Sequence, residues 1–114
     1  MSCVLVIRLI GVERFRRFLI RFPHAKSRFF TTSEQTYCER FRKSPEERYA
    51  ARFAAKCAYR ACHPGTPWLS MEVANDPLGA PEFVVDRACK ARSVSLTHEG
   101  AWAAASLLVE EVQQ

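Results

Sequence analysis

Hydrophobic positions open as an almost unbroken run, pass into a helical period, and end in alternation. Val4 to Ile10 is apolar at every position but one, which predicts a strand buried on both faces. Arg8 is the exception. An unpaired buried cation is costly, so Arg8 either reaches water near the strand end or meets an acid. Beyond Gly11, Val12, Phe15, Phe18, Leu19 and Phe22 recur at helical spacing, so a helix is expected over Val12 to Phe22, stopped by Pro23. Lys26 to Phe30 reads as a connector, with Phe29 and Phe30 plugging the core. Thr31 and Glu34 have the spacing of a capping box for a short helix to about Arg42. A long helix follows, with Ser44 as cap, Pro45 at the first helical position and Glu47 where a capping-box carboxylate belongs. Its apolar face runs Tyr49, Ala50, Phe53, Ala54, Cys57, Ala58 and Ala61.

His63-Pro64-Gly65-Thr66-Pro67 breaks the helical period, and the remainder is β-rich. Trp68 to Val73 and Glu82 to Asp86 predict a hairpin around the turn Asn75 to Gly79. Arg87 to Arg92 is ambiguous and compatible with a single helical turn. Ser93 to His98 and Ala101 to Val112 read as strands, the last with small residues at Ala103 to Ser106 that admit a close neighbour. The order is one strand, three helices, then about four strands, so the fold class is α+β in a single domain, residues 1–114. No repeat, low-complexity tract or linker interrupts it.

Charge divides the chain. Residues 1–60 carry 14 Lys and Arg against 5 Asp and Glu, and residues 61–114 carry 3 against 7. The first half therefore suits an anionic partner: phosphates, nucleic acid or an acidic protein. Two basic rows stand out. Arg14, Arg17 and Arg21 share one helix face, with Arg16 nearby, which suits docking to an acidic helix or a merely soluble surface. Arg48, Arg52, Lys56 and Arg60 fall four apart on the long helix. Like charges at that spacing repel unless an anion or carboxylates sit beside them, although a solvated surface face is the plainer reading.

No apolar run approaches the length of a membrane span, and no signal-peptide pattern follows the first strand. Five cysteines are an odd number without a disulfide framework, which favours reduced thiols and a cytoplasmic location. Cys57, Cys62 and His63 cluster in sequence but lack the second ligand pair of a structural zinc site. Ser95 and His98 have no accompanying acid or nucleophile elbow, and no phosphate-binding glycine loop is present.

Four ordered blocks resemble one family. Phe30 to Cys38 reads F-T-T-S-E-Q-T-Y-C, and Ala51 to Lys56 reads A-R-F-A-A-K. Glu72 to Pro81 reads E-V-A-N-D-P-L-G-A-P, and Val94 to His98 reads V-S-L-T-H. Together they resemble the holo-(acyl carrier protein) synthases, small 4′-phosphopantetheinyl transferases, over almost the whole chain. The resemblance implies a trimer with coenzyme A (CoA) in clefts between subunits. It maps CoA binding onto Lys43, Arg52, Lys56 and His98, and carrier-protein docking onto Arg14 and Arg21, in the row that also holds Arg17. A nucleic-acid partner fits less well, because the basic residues fall on the family's anion positions without an aromatic stacking motif.

The departures fall on the chemistry. The resemblance places a Mg²⁺-binding Asp where this chain has Arg8, and a second carboxylate ligand where it has Cys57. A second phosphate-binding Lys is replaced by Ala61, next to Arg60. Mg²⁺ is held by hard carboxylate oxygens and substrate phosphates, so its binding is expected to be weak or absent. The expectation is a carrier-docking protein, with CoA as a possible ligand and with transfer weak or lost, in a homotrimer or a mixed trimer. The alternative is an active transferase whose missing groups come from Arg8 or a partner subunit.

Overall fold

A computed structural model describes residues 3–89 and 91–110. Strand β1 (Cys3–Gly11) runs directly into helix α1 (Val12–Arg21), and Val12 N donates to Ala101 O at 2.9 Å across the turn. Val12, Phe15 and Leu19 are buried, whereas Phe22, expected on the same core face, lies past the helix end and is half exposed. The expected connector contains a short helix, α2 (Ala25–Phe29). It is too short for a periodic pattern to announce it, and Ala25 N closes its first turn on Phe22 O at 2.9 Å. Helix α3 (Thr32–Glu39) carries the expected capping box: Thr31 accepts from Glu34 N, and Glu34 accepts from Thr31 N. It ends three residues before the expected Arg42.

Helix α4 (Pro45–Cys62) begins with Pro45 at its first position, but Ser44 makes no side-chain cap and Glu47 is engaged elsewhere. After the His63–Pro67 loop, Trp68–Ser70 is a 3₁₀ turn rather than the start of a strand. Ser70 N and Oγ both donate to Pro67 O, at 3.1 and 2.8 Å, and close it. Strands β2 (Met71–Asn75) and β3 (Pro81–Val85) form the expected hairpin. The stretch after it is not helical. Asp86 and Arg87, at φ 50° and 67°, make a tight turn into strand β4 (Ala88–Cys89), because two positive φ values match the twist of paired strands. Strand β5 (Ala91–Glu99) turns at Gly100, φ 48°, into β6 (Trp102–Glu110). The last two positions of the expected final strand, Glu111 and Val112, lie outside the described residues.

The strands make two antiparallel three-stranded sheets, ordered β1-β6-β5 and β2-β3-β4. Helix α4 packs on the first sheet, and its alanines allow close approach. Ala54, Ala55 and Ala58 join Val6, Met71, Phe83, Leu107 and Val109 in one cluster. Ala50 and Ala51 join Phe15, Leu19, Phe30, Tyr49 and Ala103 in a second. Strand β1 is buried on one face only. Leu5, Ile7 and Leu9 are about 60% exposed (62%, 58% and 63%), because no second layer among the described residues covers the outer side of this sheet.

Candidate functional site

The four cations of α4 each sit on an aromatic ring. Arg48 lies 3.4 Å from the Phe41 centroid, Arg52 4.2 Å from Tyr37, Lys56 5.3 Å from Phe30 and Arg60 4.2 Å from Trp68. The row is not a solvated face, since Arg52 and Lys56 are buried. Lys56 Nζ donates to Glu34 Oε1 and Phe29 O, both at 2.6 Å, and to Trp68 O at 3.3 Å. Glu34 Oε2 accepts from Val73 N at 2.9 Å. This buried pair thus ties α2, α3, α4 and β2 together. Burial pushes the Lys56 ammonium below its usual range, and the Glu34 charge opposes that shift.

Arg52 is different. It is 3% exposed, its Nη2 makes one long bond of 3.4 Å to Asn75 Oδ1, and its buried Nε has no partner. It lines a cavity of about 180 Å³ with Arg48, Asn75, Pro81, Leu96 and His98. His98 Nδ1 lies 2.8 Å from Glu47 Oε2, so the helix that supplies two arginines also fixes the imidazole. Two guanidiniums, one under-bonded, and a held imidazole line the cavity, a set whose chemistry suits an anion. Lys43 stays exposed on the connection before α4 and does not line this cavity.

Arg8 on β1 and Cys57 on α4 do not line this cavity. Arg8 is exposed, the first of the two outcomes its sequence allows, and Nη1 donates to Ile7 O at 3.2 Å. Burial pushes the Cys57 thiol up, while the charges of Arg8 and Arg60 pull the other way. His63 stacks on Tyr59 and contacts Glu110 O at 3.0 Å. Among the described residues no three His, Cys, Asp or Glu side chains cluster as a metal site.

On α1, Arg14, Arg17 and Arg21 are all exposed. Glu13 pairs with Arg16 at 2.5 Å and more loosely with Arg17 at 3.7 Å, which leaves Arg14 and Arg21 without a carboxylate among the described residues. At the C-terminal end of α1, an open hollow of about 600 Å³ is lined by Phe18, Phe22 and Phe29 together with Arg21 and Arg28.

The holo-(acyl carrier protein) synthase of Geobacter metallireducens is 36% identical over 121 residues, covering 93% of this chain and 95% of that protein. The same enzyme of Salinispora arenicola is 35% identical, covering 91% and 94%. The chain belongs to the holo-(acyl carrier protein) synthase family. A solved synthase from Bacillus anthracis, in complex with CoA (3′,5′-ADP), superposes with a TM-score of 0.78 at 25% identity, over 95% of this chain and 96% of that one. The Helicobacter pylori synthase shares the fold at the same TM-score and 21% identity, over 94% and 100%. No family model matches the chain.

Arg8 and Cys57 stand at the positions where the family resemblance implies two metal-binding carboxylates. They offer a guanidinium and a thiol with no oxygen donor, and these residues do not fit Mg²⁺. The Glu47–His98 contact and the Lys56–Glu34 pair were not legible from spacing. Glu34 and Glu47 both look like helix-cap carboxylates in sequence, and only the tertiary fold distinguishes their partners.

Proposed function

We propose that this chain is a divergent holo-(acyl carrier protein) synthase that docks an acyl carrier protein and retains a CoA pocket. Phosphopantetheine transfer by a metal-dependent route is weak or lost. The observation that carries this reading is the identity of residues 8 and 57, an arginine and a cysteine where the family resemblance calls for two carboxylates. Arg48, Arg52 and His98 hold a CoA phosphate in the 180 Å³ pocket. Lys56 supports that pocket from inside, its charge already met by Glu34. Lys43 reaches the same ligand from outside. The CoA complex of the Bacillus anthracis relative supports the CoA assignment.

Arg14 and Arg21, with Arg17 beside them, meet an acidic carrier helix, and the Phe18–Phe22–Phe29 hollow next to them receives an apolar side chain of that helix. The uncovered face of β1 supports assembly as a trimer of this chain or with a related subunit. The location proposed is the cytoplasm, where the thiols stay reduced.

A second reading is favoured by the exposure of Arg8: an active transferase in which its guanidinium neutralises the CoA diphosphate. Mass spectrometry of an apo carrier protein incubated with CoA, Mg²⁺ and this protein decides between them. Little or no gain of the phosphopantetheine mass is expected. Rapid, Mg²⁺-dependent gain by the unmodified chain overturns the first reading, and rapid gain in excess EDTA establishes the second.

A further inference from the structure

We propose that Glu39 is a positioning residue for carrier docking. Its carboxylate, shared between Lys26 and Tyr49, sets the place of α2, whose Arg28 and Phe29 line the hollow beside α1. The role rests on the docking reading above, in which this hollow receives the carrier. Glu39 is the last residue of α3, an unfavourable place for an anion because the negative pole of the helix dipole lies there. The last turn of α3 holds no basic residue to offset it. The compensation comes from two other helices. Tyr49 Oη of α4 donates to Glu39 Oε2 at 2.7 Å, and Lys26 Nζ of α2 donates to the same oxygen at 3.0 Å. The Lys26 ammonium also lies 5.0 Å from the centroid of the Tyr49 ring, so a carboxylate and a ring face hold it together.

Helix α2 needs such a hold. Its five residues, Ala25–Phe29, are too few to sustain a helix alone. Lys56 Nζ donates to Phe29 O at 2.6 Å and pins its C-terminal end, and Lys26 is the tie near its start. Arg28 stands two residues beyond Lys26, so a shift at that end turns Arg28 away from Arg21 and Phe22 across the hollow. An exposed ion pair by itself is weak. This one is anchored on Tyr49, which is fully buried and fixes the carboxylate that Lys26 meets. The Tyr49 hydroxyl first, and Lys26 after it, hold the Glu39 carboxyl below the usual carboxylate range. Charge alone predicts the opposite of the proposed effect. Removing an anion beside a basic surface favours an acidic partner, so a loss of carrier affinity without Glu39 comes through geometry.

Calorimetric titration with a purified apo acyl carrier protein, with hydrogen exchange of residues 25–29 in parallel, tests it. Glu39→Ala should weaken carrier binding on the order of fivefold, as for one net hydrogen bond, and speed exchange in α2 while α4 and the sheets keep their protection. Glu39→Gln, which keeps an acceptor for both partners, should recover most of the affinity. Glu39→Ala strands the buried Tyr49 hydroxyl, so the double variant Glu39→Ala/Tyr49→Phe removes both partners and decides should Glu39→Ala fail to fold. It should bind the carrier as weakly as Glu39→Ala. Unchanged or tighter binding without Glu39, faster exchange spread over the whole chain, or Glu39→Gln as weak as Glu39→Ala overturns the proposal. Normal binding by Arg14→Glu/Arg21→Glu, or no binding by the unmodified chain, removes the docking reading and this role with it. Normal binding by Glu39→Ala beside a failed Arg14→Glu/Arg21→Glu removes this role alone.

Discussion

Glu47 Oε2 sits 2.8 Å from His98 Nδ1 and joins the first turn of α4 to the end of β5. The contact fixes which imidazole nitrogen is spoken for, leaving Nε2 as the group that can turn to a ligand in the Arg48–Arg52 pocket. Glu47 is thereby a positioning residue. Glu47→Ala should weaken binding of 3′,5′-ADP several-fold, and Glu47→Gln, which keeps an acceptor, should recover part of it. The ¹⁵N shifts of His98 should report a redistribution of tautomers in Glu47→Ala. Unchanged shifts together with unchanged affinity would show that the carboxylate does not orient the ring.

Glu34 and Lys56 predict a large stability effect in a place that looks functional. Both are fully buried and 2.6 Å apart, and Glu34 also accepts from Val73 N. Removing one charge leaves the other uncompensated, which costs about 3–5 kcal/mol for a buried pair. Glu34→Gln and Lys56→Met should each lower the denaturant midpoint accordingly, before any CoA is added. A loss below about 1 kcal/mol, the range of a surface pair, would mean that water reaches the pair in solution.

How much of this was legible in the sequence depends on the range of the contact. The Thr31–Glu34 capping box, Pro45 at the start of α4 and the β2–β3 hairpin are set by neighbours a few residues apart, and all three formed. The arginine row of α4 was visible as a spacing. Its burial was not, because the rings that take it come from Tyr37, Phe41 and Trp68, on other elements. For the same reason Glu47 read as a cap: its partner is about fifty residues away in sequence. The continuous apolar run of β1 predicts burial on both faces, yet Leu5, Ile7 and Leu9 are exposed, because such a run does not say which layer supplies its cover.

The Cys57 thiol gives a pH prediction. Burial raises its pKa, so at a given pH less thiolate is present than in a free thiol, whose pKa is about 8.5. Alkylation of Cys57 by iodoacetamide, followed by peptide mass mapping, should rise only at higher pH than for a free cysteine. Arg8→Gln removes a charge that favours the thiolate and should shift the profile higher still. A profile shifted below that of free cysteine would mean that the two cations outweigh burial.

Carrier docking should be electrostatic and local. Arg14 and Arg21 have no carboxylate partners among the described residues, so reversing both to Glu should abolish binding of an acidic carrier protein while leaving the melting temperature nearly unchanged. Affinity of the unmodified chain should fall steeply between low and physiological salt. Arg16, already paired with Glu13 at 2.5 Å, should matter less than either. Normal binding by the double reversal would move the interface off α1.

The outer face of the β1-β6-β5 sheet predicts self-association. Leu5, Ile7 and Leu9 project from it, and Trp102, paired with Gly11 in register, extends the patch at 58% exposure. Beside them β6 presents Ala104, Ser106 and Leu108, opposite Leu9, Ile7 and Leu5 in register, so the surface carries no formal charge over three rungs. A contiguous apolar surface of this kind is rarely left in water by a monomer. Light scattering at tens of micromolar should therefore give an assembly, with three copies expected from the family resemblance. Ile7→Lys puts a charge at the middle rung without touching the inner core, where Val6 points, and should yield a folded monomer. A monomer from the unmodified chain would remove the interface and any site built between subunits. An unchanged assembly in Ile7→Lys would place the contact on another surface.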